Sequence, residues 1–195
     1  MEGSPVDGEE LRKIKNCFLL CGRTHSFSPA IHKVTKYNHT KRKDVVPKNK
    51  KLLLWHGTKN ENVDSILKNG FKIRNNNGLM YGNAIYLANI PSKAVRYCST
   101  GYYGDRTTSK MLLCEVDVSE LVEVTRADHG AHEKYKKVVK GVGMFSPTQT
   151  EIIDNVHCFC GNIEARPRFD LDYDEYAVYD PDLITVKYVV EFYRQ

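Results

Sequence analysis

The sequence predicts an α+β fold built mainly from antiparallel strands. Short apolar or alternating segments outnumber helical stripes along the chain. These segments also lack the intervening crossover helices that a parallel sheet requires, which favours antiparallel pairing. Finally, 195 residues with 41% hydrophobic and 27% charged side chains suit one globular domain. Residues 1–8 are read as a flexible N-terminus and 9–195 as that domain.

Taken in order, Leu11, Ile14 and Phe18, with Cys21 one turn on, form the apolar stripe of a helix over 9–20. In 31–37, Ile31, Val34 and Tyr37 are interleaved with basic residues, the pattern of an edge strand that resists wrong pairing. Leu52-Leu53-Leu54-Trp55 is continuously apolar, as in a strand covered on both faces, and it ends at His56-Gly57-Thr58. Asn60 or Asn62 can cap a helix whose stripe is Val63, Ile66 and Leu67, with Asn69-Gly70 as its stop. Asn75-Asn76-Asn77-Gly78 reads as a turn, Ala84-Ile85-Tyr86-Leu87 as a strand, and the residues after Pro91-Ser92 as a helix. Further strands are expected at 111–116, 176–179 and 185–192. In the last, Val186, Tyr188, Val190 and Phe192 share one face at period two.

The net charge of +5 is modest, with basic clusters at Lys41-Arg42-Lys43 and at 48–51. Contact with nucleic acid fits these clusters, and so does a solvated loop before a buried strand, so nucleic acid is not required. Of the six cysteines, Cys17/Cys21 and Cys158/Cys160 form close pairs, but no CxxC appears, and reduced thiols packed as small hydrophobes are expected rather than zinc. The acidic, polar start carries no secretory h-region, and no apolar run has the length of a membrane span. The expected location is nucleus or cytoplasm, without membrane contact. Nothing in the pattern specifies an oligomeric state.

The GxGxxG, Walker and HExxH signatures are absent. Three other segments can carry chemistry. His56-Gly57, at the end of a buried strand, sets a polar ring beside backbone that a flat ligand can approach; a core histidine and a turn glycine fit the same letters. Tyr86 on a strand and Tyr97 on the following helix can sandwich an aromatic ring, or serve as core aromatics. Glu175, within Asp172-Tyr173-Asp174-Glu175-Tyr176, can hold a carboxylate against a developing cation, or belong to a solvated turn.

In their order, these segments resemble the poly(ADP-ribose) polymerase catalytic domain. The matches are its tryptophan-histidine-glycine strand end, its glycine-isoleucine-tyrosine strand with serine-lysine and tyrosine-cysteine after it, and its asparagine-glutamate-tyrosine-x-valine-tyrosine segment. The stretch KVVKGVGMFSP, 137–147, is similar to the family's lysine-glycine-x-glycine loop. The resemblance implies an ADP-ribosyltransferase fold, with two mainly antiparallel sheets forming a split NAD-binding cleft, and a His-Tyr-Glu triad at His56, Tyr86 and Glu175. It further implies that Gly57 backbone pairs with the nicotinamide carboxamide, that Tyr86 and Tyr97 flank the nicotinamide ring, and that Thr58, Asn62 and Lys72 lie toward the adenosine. NAD is then a substrate, no metal is expected, and the partners are protein acceptors, the chain itself among them.

Some positions depart from the family pattern. Ala94 stands where a serine commonly bonds the carboxamide, and Asn83-Ala84 replaces lysine-glycine before the isoleucine-tyrosine pair. Residues 99–110 contain no cysteine or histidine, unlike the zinc cluster of tankyrase-like members. No helical regulatory domain is expected within this length. A polymer-forming ADP-ribosyltransferase, a mono-ADP-ribosyltransferase and a silent NAD or ADP-ribose binding module remain as alternatives, with the intact triad against silence. A branched side chain at Gly57 is expected to weaken donor binding more than folding.

Overall fold

The computed structural model describes residues 2–20, 29–38, 47, 50–75, 79–99 and 108–194. Cys21, the Lys41-Arg42-Lys43 cluster, Lys48 and the Asn76-Asn77-Gly78 turn lie outside them. The chain runs β1 (Gly3–Pro5), α1 (Gly8–Leu20), β2 (Pro29–Tyr37), β3 (Lys51–Gly57), α2 (Asn60–Asn69), β4 (Ile85–Ala88) and α3 (Pro91–Ala94), which continues into a 3-10 turn (Val95–Tyr97). After these come β5 (Ser109–Asp117), β6 (Leu121–Val124), α4 (Ala131–Lys134), β7 (Val138–Gly141), β8 (Gly143–Ile153), β9 (Val156–Ala165), β10 (Leu171–Tyr173), β11 (Glu175–Val178) and β12 (Ile184–Arg194). The class is α+β and rich in strand.

The strand path is β1-β2-β12-β5-β3-β4-β11-β7-β6, and a β9-β8-β10 group joins it through β9 against β3. Pairing is mainly antiparallel; β3 with β9, β6 with β7, and β8 with β10 are parallel. β2 is not the outermost strand as its sequence suggests, because residues 3–5, read as loose, pair along its free side.

Period-two alternation places two cores on the two faces of the central strands. Leu53 and Trp55 of β3, Met111 and Leu113 of β5, and Tyr188, Val190 and Phe192 of β12 meet α1 through Ile14, Cys17 and Phe18. Phe18 lies 5.3 Å from Trp55 and 5.1 Å from Phe192 between ring centroids; such tilted and edge contacts each add about 0.5–1.5 kcal/mol beyond burial. Leu54, Leu112 and Cys114 face the opposite core, with Val63 of α2 and Phe71. Val186 joins this second core rather than the Tyr188 face. The register against β5 shifts between Val186 and Tyr188, and that irregularity reverses the alternation.

α2 ends as its sequence indicates, with Gly70 at φ 78° donating its N–H to Ile66 O. Its start differs, since Lys59 occupies the cap position with no side-chain cap bond. Asn60 is used instead to fasten α2 to β5: Nδ2 donates to Thr108 O at 2.7 Å and Oδ1 accepts from Lys110 N at 3.0 Å. Cys17, Cys98, Cys114, Cys158 and Cys160 are buried and outside any disulfide. No helix among the described residues is long and apolar enough to cross a membrane.

Candidate active site

Three neighbouring strands of the path, β3, β4 and β11, carry His56, Tyr86 and Glu175. Cross-strand pairing sets Trp55 opposite Ala88, Ala88 opposite Glu175, and Tyr86 opposite Ala177. Tyr86, Ala88 and Glu175 therefore share one face, with His56 one residue beyond the paired Trp55.

His56 Nδ1 lies 2.9 Å from Tyr86 O, and its ring meets Phe71 edge-on at 4.9 Å. A carbonyl oxygen can only accept, so Nδ1 carries the hydrogen. Burial lowers the ring's pKa from its ordinary value, with the bond to Tyr86 opposing. The neutral ring then leaves Nε2 as an acceptor.

The Tyr86 hydroxyl is committed within the fold. It accepts from Tyr81 N at 3.0 Å and donates to Gly82 O at 2.7 Å. Burial, opposed by the Tyr81 bond and reinforced by Glu175, pushes its pKa up to about 12. What Tyr86 offers a ligand is the face of its ring rather than its oxygen. Tyr97 closes the 3-10 turn with 63% of its surface exposed, unusual for so large an apolar ring and suited to stacking. Partial burial raises its pKa, and the Glu175 charge raises it further.

Gly57 is enclosed. A Cβ there would overlap the Ala94 carbonyl and press on Tyr97 Cβ, so glycine is what lets the end of β3 approach α3. This alters the expectation for a branched side chain at Gly57, which must disturb backbone packing before any ligand is involved.

The Glu175 carboxylate is 12% exposed and lies 3.3 Å from Lys93 Nζ. Lys93 also donates to Tyr173 O at 3.0 Å; burial lowers its pKa while Glu175 pulls the other way. Around this strand the lysine-glycine-x-glycine letters acquire a role. Gly141 pairs with Glu175 and lies so close to Tyr81 that a Cβ would collide with its ring.

Thr58 is buried, with its hydroxyl accepting from Asn62 Nδ2 at 3.2 Å, which joins two sequence-selected residues at the start of α2. Lys72 is exposed and follows Phe71, the residue against His56. Sequence reasoning assigned no role to Lys93, Phe71, Tyr81 or Asp174. For Asp174 and Lys93, adjacency to Glu175 and Ser92 was the available signal; for Phe71 and Tyr81 only the fold reveals the contact. Among the described residues, no group of three or more His, Cys, Asp or Glu side chains is arranged to hold a metal ion.

A family model described as the poly(ADP-ribose) polymerase catalytic domain matches residues 8–194. Poly(ADP-ribose) polymerase 2 of Caenorhabditis elegans is 32% identical over 222 residues, covering 96% of this chain and 40% of that protein. The Zea mays poly(ADP-ribose) polymerase 2 is 33% identical over 203 residues, covering 95% of this chain and 31% of its own length. Poly(ADP-ribose) polymerase 1 of Gallus gallus is 34% identical over 148 residues, covering 71% and 14% respectively. The chain thus spans less than half of each of these relatives. Its open, strand-rich α+β architecture fits the ADP-ribosyltransferase fold. A match over nearly the whole chain, together with an ordered His56, Tyr86 and Glu175 on adjacent strands, means that this chain belongs to the poly(ADP-ribose) polymerase catalytic domain family.

Proposed function

We propose that the chain is an NAD+ ADP-ribosyltransferase that releases nicotinamide and passes ADP-ribose to protein acceptors, itself included, and to growing ADP-ribose chains. The observation that carries this reading is the adjacency of His56, Tyr86 and Glu175 on β3, β4 and β11. His56 Nε2 accepts a hydroxyl of the adenosine ribose, a role supported by the neutral ring and its Nδ1 bond to Tyr86 O. Gly57 backbone pairs with the carboxamide, and the rings of Tyr86 and Tyr97 flank the nicotinamide. Thr58, Asn62 and Lys72 serve the adenosine end.

In the reaction, the bond between ribose C1′ and the nicotinamide nitrogen breaks, and its electron pair leaves with neutral nicotinamide. No general acid is needed for that departure. Glu175 accepts a hydrogen bond from the adjacent 2′-hydroxyl and lowers the cost of the oxocarbenium-like ribose. The acceptor oxygen then bonds to C1′ and gives its proton to Glu175, which orients that hydroxyl and passes the proton on to solvent. Ala94 withholds a side-chain hydroxyl from the carboxamide, worth about 0.5–1.5 kcal/mol of donor binding.

The division of the strands into two sheets around the donor cleft belongs to the same reading. It is supported by the narrow junction at which β9 meets β3, through the pairs Leu52↔His157 and Leu53↔Cys158. Residues 9–195 form the catalytic unit in this reading, supported by the extent of the family match. The test is nicotinamide release from NAD+ by the purified chain and by Glu175→Gln. The amide keeps the shape and removes the charge, so the rate should fall by roughly 10²- to 10³-fold, about 3 kcal/mol, while affinity for nicotinamide changes little. Wild-type release by the variant would remove Glu175 from the mechanism.

A further inference from the structure

Asp174 precedes Glu175 and is 1% exposed, and its carboxylate gathers donors from several parts of the fold. Oδ1 accepts from Gly143 N at 2.8 Å and Arg166 Nη1 at 3.2 Å. Oδ2 accepts from Asn89 Nδ2 and Ser146 Oγ, both at 3.1 Å, and Lys140 Nζ stands 3.8 Å away. Two cations and three neutral donors thus surround one carboxylate that water hardly reaches. A buried carboxylate left without such partners would be strongly unfavourable, so this arrangement depends on all of its members.

The donors come from the elements that flank Glu175. Asn89 follows Ala88, the cross-strand neighbour of Glu175 on β4, and Lys140 precedes Gly141, its neighbour on β7. Gly143 and Ser146 belong to β8, and Arg166 follows the end of β9. Gly143 can deliver its N–H because it has no side chain; a Cβ would overlap the backbone of Tyr173 and Asp174. Lys93 bonds Tyr173 O and pairs with Glu175, while Asp174 is bound by the cluster. Residues 173–175 are therefore held at three successive positions.

We propose that Asp174, with Arg166 as its charge partner, is a positioning residue that fixes the Glu175 carboxylate by anchoring the start of β11 to β4, β7, β8 and the end of β9. The inference rests on reading Glu175 as the catalytic carboxylate. It also explains why aspartate stands where the family motif has asparagine. Oδ1 accepts from Gly143 N and from the Arg166 guanidinium, and an amide at this position would leave that cation facing a neutral group.

The experiment measures nicotinamide release with varied NAD+, nicotinamide affinity by calorimetry, and thermal melting, for wild type, Asp174→Asn, Arg166→Met, the double variant and Glu175→Gln. Asp174→Asn should lower kcat about tenfold or more while KM and nicotinamide affinity stay within about threefold, because a carboxylate displaced by a fraction of an ångström loses the transition state before it loses the donor. Arg166→Met, altering a partner 35% exposed, should lower kcat about threefold, and the two effects should combine to less than their product. Arg166→Met keeps the proposal falsifiable if Asp174→Asn does not fold. Full kcat in a folded Asp174→Asn, or in Arg166→Met where the former fails to fold, overturns the positioning role. Glu175→Gln distinguishes the two failures: if it is inactive while the Asp174 and Arg166 variants are fully active, only this inference falls, and if it is fully active, the reading beneath it falls as well.

Discussion

Gly57 meets two demands, one from the chain and one from the proposed donor. The chain's demand is geometric, since any Cβ would overlap the Ala94 carbonyl. Gly57→Ala should therefore cost roughly 1–3 kcal/mol in overpacking and, by shifting α3 and the Tyr97 turn, weaken nicotinamide binding as well. Melting and calorimetric titration check this; an unchanged melting temperature with lost binding would restore the ligand-only explanation. His56 makes a different prediction. Its pKa in the folded protein is lowered from 6.5 by burial, so as pH falls the unfolded chain takes up this proton first. The associated stability is fully present above 6.5 and is lost as pH drops from there through the lower folded value. Thermal melts from pH 7.5 to 5 should show a shallower decline for His56→Asn than for wild type, and parallel curves would mean that the folded ring titrates normally. The segments around His56, Tyr86 and Glu175, which the fold sets on neighbouring strands, stood out because their letters recur in one order, as did Tyr97. The Lys93 contact with Glu175 and the Asp174 cluster were not, because they join residues distant in sequence whose proximity only the paired strands create.

At the scale of elements, legibility followed apolar density. β3 and β12 stood out as concentrated runs, whereas β8 and β9 carry mixed polar letters and were not anticipated. β8 also contains Pro147, which argues against a paired strand; the fold accommodates it next to a register irregularity between Pro147 and Gln149. The hairpin's sequence signal was its turn. Asp154 and Asn155 both have positive φ, 49° and 62°, between the paired Ile153 and Val156, and Asp-Asn tolerates that geometry better than most pairs. Asn155→Val places a β-branched residue in the left-handed region and should cost roughly 1–2 kcal/mol, or about 2–8 °C in melting temperature. Asn155→Gly should melt at or slightly above wild type. Equal melting of the valine and glycine variants would show that the turn does not constrain the hairpin.

Product length is a property of the whole molecule, because elongation requires one site to hold a donor and then accept the end of an ADP-ribose chain. In the proposed reaction Glu175 meets the chemical requirement on both sides: its charge lowers the cost of the donor cation, and its oxygens can orient an incoming ribose hydroxyl. An apolar residue at that position could do neither. Its ion pair with Lys93 fixes it without hiding it, since 12% of the side chain remains exposed. Met80 is half-buried before the Tyr81-Gly82 turn that grips the Tyr86 hydroxyl and packs in the same apolar cluster as Tyr86, so an apolar contact is available to a chain end on the scaffold that holds Tyr86. Against elongation stands Asn83, which lacks the charge of the lysine common at that position and can offer a diphosphate only neutral hydrogen bonds. In that proposed reaction the carboxylate acts at the bond being made and the missing cation only at the chain's periphery, so polymer is the expected product. Incubation of the purified chain with labelled NAD+ should give a high-mass smear on denaturing electrophoresis that collapses on addition of a chain-degrading glycohydrolase. A sharp band with one ADP-ribose per acceptor site, persisting at high enzyme and NAD+ concentrations, would make it a mono-ADP-ribosyltransferase. Asn83→Lys would then be the variant to test for a gain of chain length.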